Sequence, residues 1–138
     1  MNISTAPVQG KIGQALSFLG TNPFVNITEN SHLPVFNTTG YSVALWFKYT
    51  GPANTGNNPV LFGESQSGGS AKAAMNMRLN TACVLAVFIR NDALTTMLDP
   101  STVYSNRNFC IDGTTNDWHH VVWVDAHGTA TMYIDGVA

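Results

Sequence analysis

Asp117-Trp118-His119-His120-Val121-Val122-Trp123-Val124-Asp125, a short turn, then Thr131-Met132-Tyr133-Ile134-Asp135-Gly136 decides the fold. The first arm is aromatic and β-branched, and Ala126-His127-Gly128 supplies a turn with a residue that tolerates positive φ, so the stretch reads as a β-hairpin. In the second arm Ala130, Met132 and Ile134 alternate with Thr129, Thr131 and Tyr133. The first arm is apolar on both faces, with Trp118, Val122 and Val124 on one and Val121 and Trp123 on the other. That pattern suits a strand covered on both sides, inside a two-layer sandwich.

Tyr41 to Tyr49 is the cleanest alternation in the chain. Tyr41, Val43, Leu45, Phe47 and Tyr49 alternate with Ser42, Ala44, Trp46 and Lys48, a period of two that specifies a strand. Further strands are expected over Ala15 to Leu19, Phe24 to Ile27, Val60 to Gly63, Ala71 to Leu79, Cys83 to Arg90, Leu94 to Leu98, Val103 to Ser105 and Phe109 to Ile111. Residues 1 to 14 read as an opening segment punctuated by Gly10 and Gly13. Gly51 to Pro59 and Ser65 to Ser70 read as loops by composition. With no helix expected, short strands at this spacing predict an all-β antiparallel sandwich.

The chain has 138 residues, one domain's worth. It is 44% hydrophobic but only 10% charged, so Asn, Thr, Ser and Gly carry its polarity, a mix common on exported proteins and virion surfaces. The net charge is -2 and the 6 Lys and Arg residues are scattered, which excludes a basic nucleic-acid stripe or a polybasic membrane patch. No transmembrane run and no signal peptide is expected in this chain, so an extracellular or virion-surface location implies export information removed or release without it.

Cys83 and Cys110 lack zinc-ligand spacing. A disulfide between them would close a loop of about 27 residues and contribute roughly 3 kcal/mol. Two buried free thiols are the alternative reading.

Three segments resemble the laminin-G-like domains of the concanavalin A-like lectin/glucanase superfamily. They are Gly10-x-x-Gly13-x-Ala15-Leu16-x-Phe18-x-Gly20, Tyr41-Ser42-Val43-Ala44-Leu45-Trp46-Phe47-Lys48, and the opening hairpin. The resemblance implies a jelly roll of two antiparallel sheets, a single domain over residues 1-138, and a non-catalytic extracellular module that binds carbohydrate or a surface glycoprotein. Relatives continue past the Asp-Gly of the hairpin with further strands. The domain is therefore expected to be C-terminally incomplete, with a bare sheet edge open to a strand-donating neighbour or a homo-oligomer. Relatives often carry acidic residues after the first Phe; here Leu19 and Pro23 occupy those places.

The superfamily includes glucanases, whose paired carboxylates sit on one strand. This chain has only Glu29 and Glu64, in separate segments, so glycoside hydrolysis is disfavoured. His119 and His120 are adjacent on a strand and point to opposite faces, so they cannot chelate one ion together. Asp99, Asp112 and Asp117, with Asn106, Asn108 and Asn116, form a looser set of oxygen donors. Calcium at the sandwich rim and ordinary turn chemistry both account for it. No other cofactor is expected.

Of the aromatic residues able to stack on sugars, Trp46, Trp118, Trp123, Tyr41, Tyr49, Tyr104 and Tyr133, most fall mid-strand, where packing is their expected role. A ligand site is therefore expected on the loops, with Asn37, Asn54, Asn57, Ser67 and Asn116 as hydrogen-bonding candidates. The competing function is a structural, decoration or adhesion element of a virion, phage tail or cell-surface assembly, suggested by the low charge and the unfinished sandwich.

Overall fold

The computed structural model describes residues 5–18, 24–25, 40–51, 58–65, 74–91, 93–99, 104–126 and 129–138. Every regular element among them is a β-strand. The chain divides into two compact units, Met1–His32 and Leu33–Ala138.

The first unit holds an antiparallel ribbon of β1 (Thr5–Gln9) and β2 (Gln14–Phe18), in register from Thr5↔Phe18 to Gln9↔Gln14. The Gly10 amide donates to the Gly13 carbonyl at 2.9 Å, and Gly13 takes φ 64° to close the turn. The residues read as an opening segment thus contain a strand. Phe24 and Val25, expected in a strand, have no regular structure.

The second unit contains two sheets. The small one has three strands in the order β10-β9-β3: β3 (Tyr41–Lys48), β9 (Trp118–Ala126) and β10 (Thr129–Ile134). The central place of β9 explains why both of its faces are apolar. The large sheet has five strands, β4 (Val60–Ser65), β5 (Ala74–Leu79), β6 (Val84–Arg90), β7 (Thr96–Leu98) and β8 (Tyr104–Asn108). They run in the order β4-β5-β6-β7, and β8 also pairs with β6. β5 takes one edge of β6, so β7 and β8 share the other, β7 at Ile89 and Arg90 and β8 at Val84 and Ala86.

One core fills the space between the two sheets. The large sheet contributes Met75, Met77, Leu79, Leu85 and Val87, and the small sheet Phe47, Val121 and Trp123. Tyr41, Val43, Leu45 and Tyr49 pack against it, so one complete face of the expected alternation points inward. On β9 the core face is His119, Val121 and Trp123, while Trp118, His120, Val122 and Val124 are half-buried on the outer face. This is the antiparallel sandwich that the alternating patterns predict.

Phe109 to Ile111 is not a strand. The Ile111 and Asp112 amides both donate to the Asn108 carbonyl, at 3.3 and 3.0 Å, and curl the chain into a turn. Phe109 enters the core and Ile111 is left 78% exposed. The apolar composition suggested a strand, but Asn108 redirects it: its side-chain oxygen accepts from the Cys110 amide at 3.0 Å. Gly40 precedes β3 with φ +85°, and a Cβ there would lie 2.5 Å from the Asp125 carbonyl oxygen, so the approach of β3 to β9 requires glycine.

Candidate functional site

Three regions combine polar or aromatic groups in arrangements that packing alone does not demand. The first lies at the foot of the hairpin. Asp135 takes φ 51°, and its amide donates to the His120 carbonyl at 2.9 Å. Its carboxylate accepts from the His120 amide at 2.9 Å and from Arg107 Nη1 at 2.6 Å. It also lies 2.9 Å from His119 Nδ1, and since a carboxylate only accepts, that nitrogen carries the proton. Nε2 of the same ring is buried without a partner, among Phe109 and Phe47 at centroid distances of 5.0 and 5.6 Å. Burial acts to raise the Asp135 pKa, but the bonds from His119, the His120 amide and Arg107 outweigh it and hold the carboxyl below its ordinary range.

Arg107 also reaches the neighbouring turn. Nε donates to Asp112 Oδ2 at 2.6 Å and Nη2 to the Thr114 hydroxyl at 3.2 Å. The Thr114 amide and hydroxyl donate to Asp112 Oδ1 at 2.9 and 2.6 Å. Desolvation alone would raise the Asp112 pKa; the bonds from Thr114 and Arg107 prevail and lower it to about 2. Cys110, in the same turn, is disulfide-bonded to Cys83 at the head of β6, with Cα atoms 5.7 Å apart. One guanidinium and one disulfide therefore pin the 109–117 turn to both sheets. The role of this cluster is structural.

Asp99, Asp112 and Asp117 are the expected calcium ligands. Asp112 is occupied by Arg107 and Thr114, and no group of three His, Cys, Asp or Glu among the described residues could hold a metal. Asp117 and Asp99 are exposed. Asn116 takes φ 77° and its amide donates to the Tyr49 carbonyl at 3.0 Å, a turn role. Asn37, Asn54, Asn57 and Ser67 lie outside the described residues, as does Glu29. Glu64 stands opposite Met75, on the core side of the large sheet. Burial raises the pKa of Tyr41; the bond from Trp123 opposes this, and Asp125 and Glu64 add to the rise.

The second region is the outer face of the small sheet. Its register sets Trp46 opposite His120 and Lys48 opposite Trp118. The Trp46 and His120 rings lie 4.8 Å apart at 32°, and Lys48 Nζ is 5.4 Å from the Trp118 ring. Trp46 is 39% exposed, and Trp118, His120 and Tyr133 are half-buried. Two indoles, an imidazole, a phenol and an ammonium thus share one open sheet face. Trp123, Tyr41 and Tyr49 instead join the core. The mid-strand position of most of these aromatics pointed to packing; strand alternation sends Trp46, Trp118 and Tyr133 outward.

The third region is the outer face of the large sheet, where Asn76 and Arg78 on β5 stand opposite Phe88 and Ala86 on β6.

A family model described as the concanavalin A-like lectin/glucanases superfamily, Laminin_G_3, matches residues 19–138. The chain belongs to this family. Its two facing antiparallel sheets are the architecture that membership implies, and superfamily domains of this laminin-G-like kind often bind carbohydrate. Such domains are typically non-catalytic, although the superfamily also includes glycosidases. No curated protein and no solved structure matches the chain. No helix among the described residues is long and apolar enough to cross a membrane.

Proposed function

We propose that this laminin-G-like domain is a non-catalytic module that binds carbohydrate or a surface glycoprotein outside the cell. The observation that carries the reading is the aromatic strip of Trp46, His120 and Trp118 with Lys48 on the outer face of the small sheet. Indole faces present flat apolar surface to the C–H face of a sugar ring, and their N–H groups and the Lys48 ammonium supply donors for its hydroxyls. Trp46 and Trp118 are diagonal neighbours across β3 and β9, a spacing of about 7–8 Å between such positions, which suits successive rings of an oligosaccharide. A disulfide suits an oxidising, extracellular setting. The non-catalytic assignment is supported by Glu64, which is turned to the core side and so cannot face a second carboxylate across an open cleft.

The test is a glycan array probed with the full chain and with a Trp46→Ala, Trp118→Ala double variant. Saturable binding to defined glycans, lost in the variant, supports the proposal; wild-type silence across the array refutes it.

A second reading, a structural or adhesion element of a virion, phage tail or surface assembly, is favoured by a separate observation. Among the described residues β3 and β10 each pair only with β9, and sheet edges of this kind recruit strands from neighbouring chains. Concentration-dependent self-assembly in light scattering, together with silence on the array, is the outcome that selects it.

A further inference from the structure

Ile134 and Val137 exchange two backbone bonds, the Ile134 amide to the Val137 carbonyl at 2.8 Å and the Val137 amide to the Ile134 carbonyl at 3.0 Å, and so form an antiparallel bridge. Between them Asp135 and Gly136 take φ 51° and 85°. Positive φ at both central positions is the type I′ turn that joins hairpin strands without splaying them. After β10 the chain therefore reverses and starts back along the edge of β10 that faces away from β9.

That reversal fixes which groups of β10 look outward. In an antiparallel strand the amide and carbonyl of one residue point to the same side, and alternate residues share a side. Ile134 bonds outward to Val137, while the Asp135 amide bonds inward to the His120 carbonyl. The pairing with β9 runs without a shift from Thr129↔Ala126 to Ile134↔Val121, so Ala130 and Met132 point outward as Ile134 does. Among the described residues β10 ends its sheet, and nothing bonds to the outward amides and carbonyls of Ala130 and Met132. They lie in line with the rung that Val137 has already made. On the core side Met132 and Ile134 pack against the core but are only half-buried, so apolar surface is open along the same edge.

The bridge sets Val137 opposite Ile134 and Ala138 opposite Tyr133. A second copy's β10, laid antiparallel along this edge, would run into both. A separate extended segment that begins beside Ala138 would not. Directly opposed side chains share a face, so its residue opposite Met132 covers the core edge and is apolar, and its residue opposite Thr131 is polar.

We infer that β10 is a strand acceptor: its outer edge takes an extended segment of a partner protein, apolar at alternate positions and antiparallel to β10, in the lane that Val137 opens. This acceptor rests on the surface-assembly reading for its class of partner.

The probe is a short synthetic peptide of alternating valine and threonine with a lysine at each end, titrated into the full chain and followed by amide NMR and hydrogen exchange. In the free chain the Ala130 and Met132 amides are expected to exchange at least about tenfold faster than those of Thr131 and Tyr133, which bond to β9. Saturating peptide is expected to slow them about tenfold or more and to leave β5 and β6 unchanged. Because the rung residues of the guest strand are its apolar ones, N-methylation of the peptide's valines is expected to abolish binding, and N-methylation of its threonines to preserve it. Ala130→Pro deletes one outward donor without removing a bond to β9, and is expected to weaken binding about tenfold or more. A valine-methylated peptide that binds as tightly as the parent would overturn strand addition. Protection of Ser42 and Ala44 in place of Ala130 and Met132 would move the acceptor to β3 and leave the assembly reading standing. Protection of Ala130 and Met132 that grows with protein concentration in the absence of peptide would make the occupant a second copy and overturn the partner assigned here. Peptide silence in a chain that still self-assembles would overturn the acceptor alone; silence with no self-assembly would remove both.

Discussion

Asp135→Ala removes the carboxylate on which the hairpin foot converges, and the cost can be worked from the structure. Three donors lose their acceptor: His119 Nδ1, Arg107 Nη1 and the His120 amide. The His119 side chain is 4% exposed and its Nε2 already lacks a partner, so the variant leaves the ring with no bond in a dry site. Orphaning one such buried donor costs about 1–3 kcal/mol. The backbone at this position has φ 51°, where alanine is disfavoured relative to aspartate by about 1 kcal/mol. The Arg107 contact is partly exposed on both sides, 31% and 36%, and adds at most about 1 kcal/mol. The sum is about 2–5 kcal/mol. With an unfolding entropy of roughly 2 cal/mol/K per residue, 1 kcal/mol corresponds to about 3–4 °C in a chain of 138 residues. Thermal unfolding of Asp135→Ala is therefore expected roughly 10 °C below wild type. Asp135→Asn keeps an acceptor and tolerates the left-handed backbone, so it should lose about a third of that. A fall below about 3 °C for the alanine variant would refute the claim that this carboxylate organises the hairpin foot.

Asp112 and Asp135 both have lowered folded-state pKa values, so their contribution is complete above the ordinary aspartate range and is lost as pH falls toward the folded value, about 2 for Asp112. Stability should be level at neutral pH and decline progressively below about pH 4; melts of Asp112→Asn against wild type should show a shallower acid limb, and identical limbs would contradict the assignment. Reducing the Cys83–Cys110 bond frees a loop spanning 27 residues and should cost roughly 3 kcal/mol in denaturant unfolding; an unchanged midpoint would mean that the 109–117 turn is held without it. Because Asp112 is already satisfied by Arg107 and Thr114, melts in millimolar calcium and in chelator are expected to coincide. A calcium-dependent rise would reveal a site elsewhere in the chain.

The two long strands were legible because their patterns are redundant. Tyr41 to Lys48 alternates without a fault, and Trp118 to Ala126 is apolar on both faces as a central strand must be. Elsewhere local signals conflicted. Thr5–Gln9 carries Pro7 and stops at Gly10, which reads as punctuation, yet it pairs with β2 along its whole length. Phe109 to Ile111 has strand composition, and only the Asn108 side chain, acting on the Cys110 amide, turns it. The groups that matter most at the hairpin foot were invisible in sequence. Arg107 and Asp135 are 28 residues apart, and nothing in spacing announces a bond that the tertiary fold creates. Likewise nothing in the sequence announces the ion pair of Asp112 with Arg107. Period-two alternation did contain the outer aromatic strip. Trp46 and Lys48 fall opposite the core set Val43, Leu45 and Phe47, so their outward direction follows from the pattern that fixed the fold.

The proposed carbohydrate binding depends most heavily on the aromatic face of the small sheet. Trp123 is 1% exposed, so a ligand on the sheet surface can contact only Trp46 and Trp118 among the tryptophans. Titration of the full chain with an array-positive oligosaccharide should shift or quench tryptophan emission saturably, and Trp46→Ala should remove most of the change. Emission that stays constant while the same glycan binds, or a response undiminished in Trp46→Ala and Trp118→Ala alike, would contradict it.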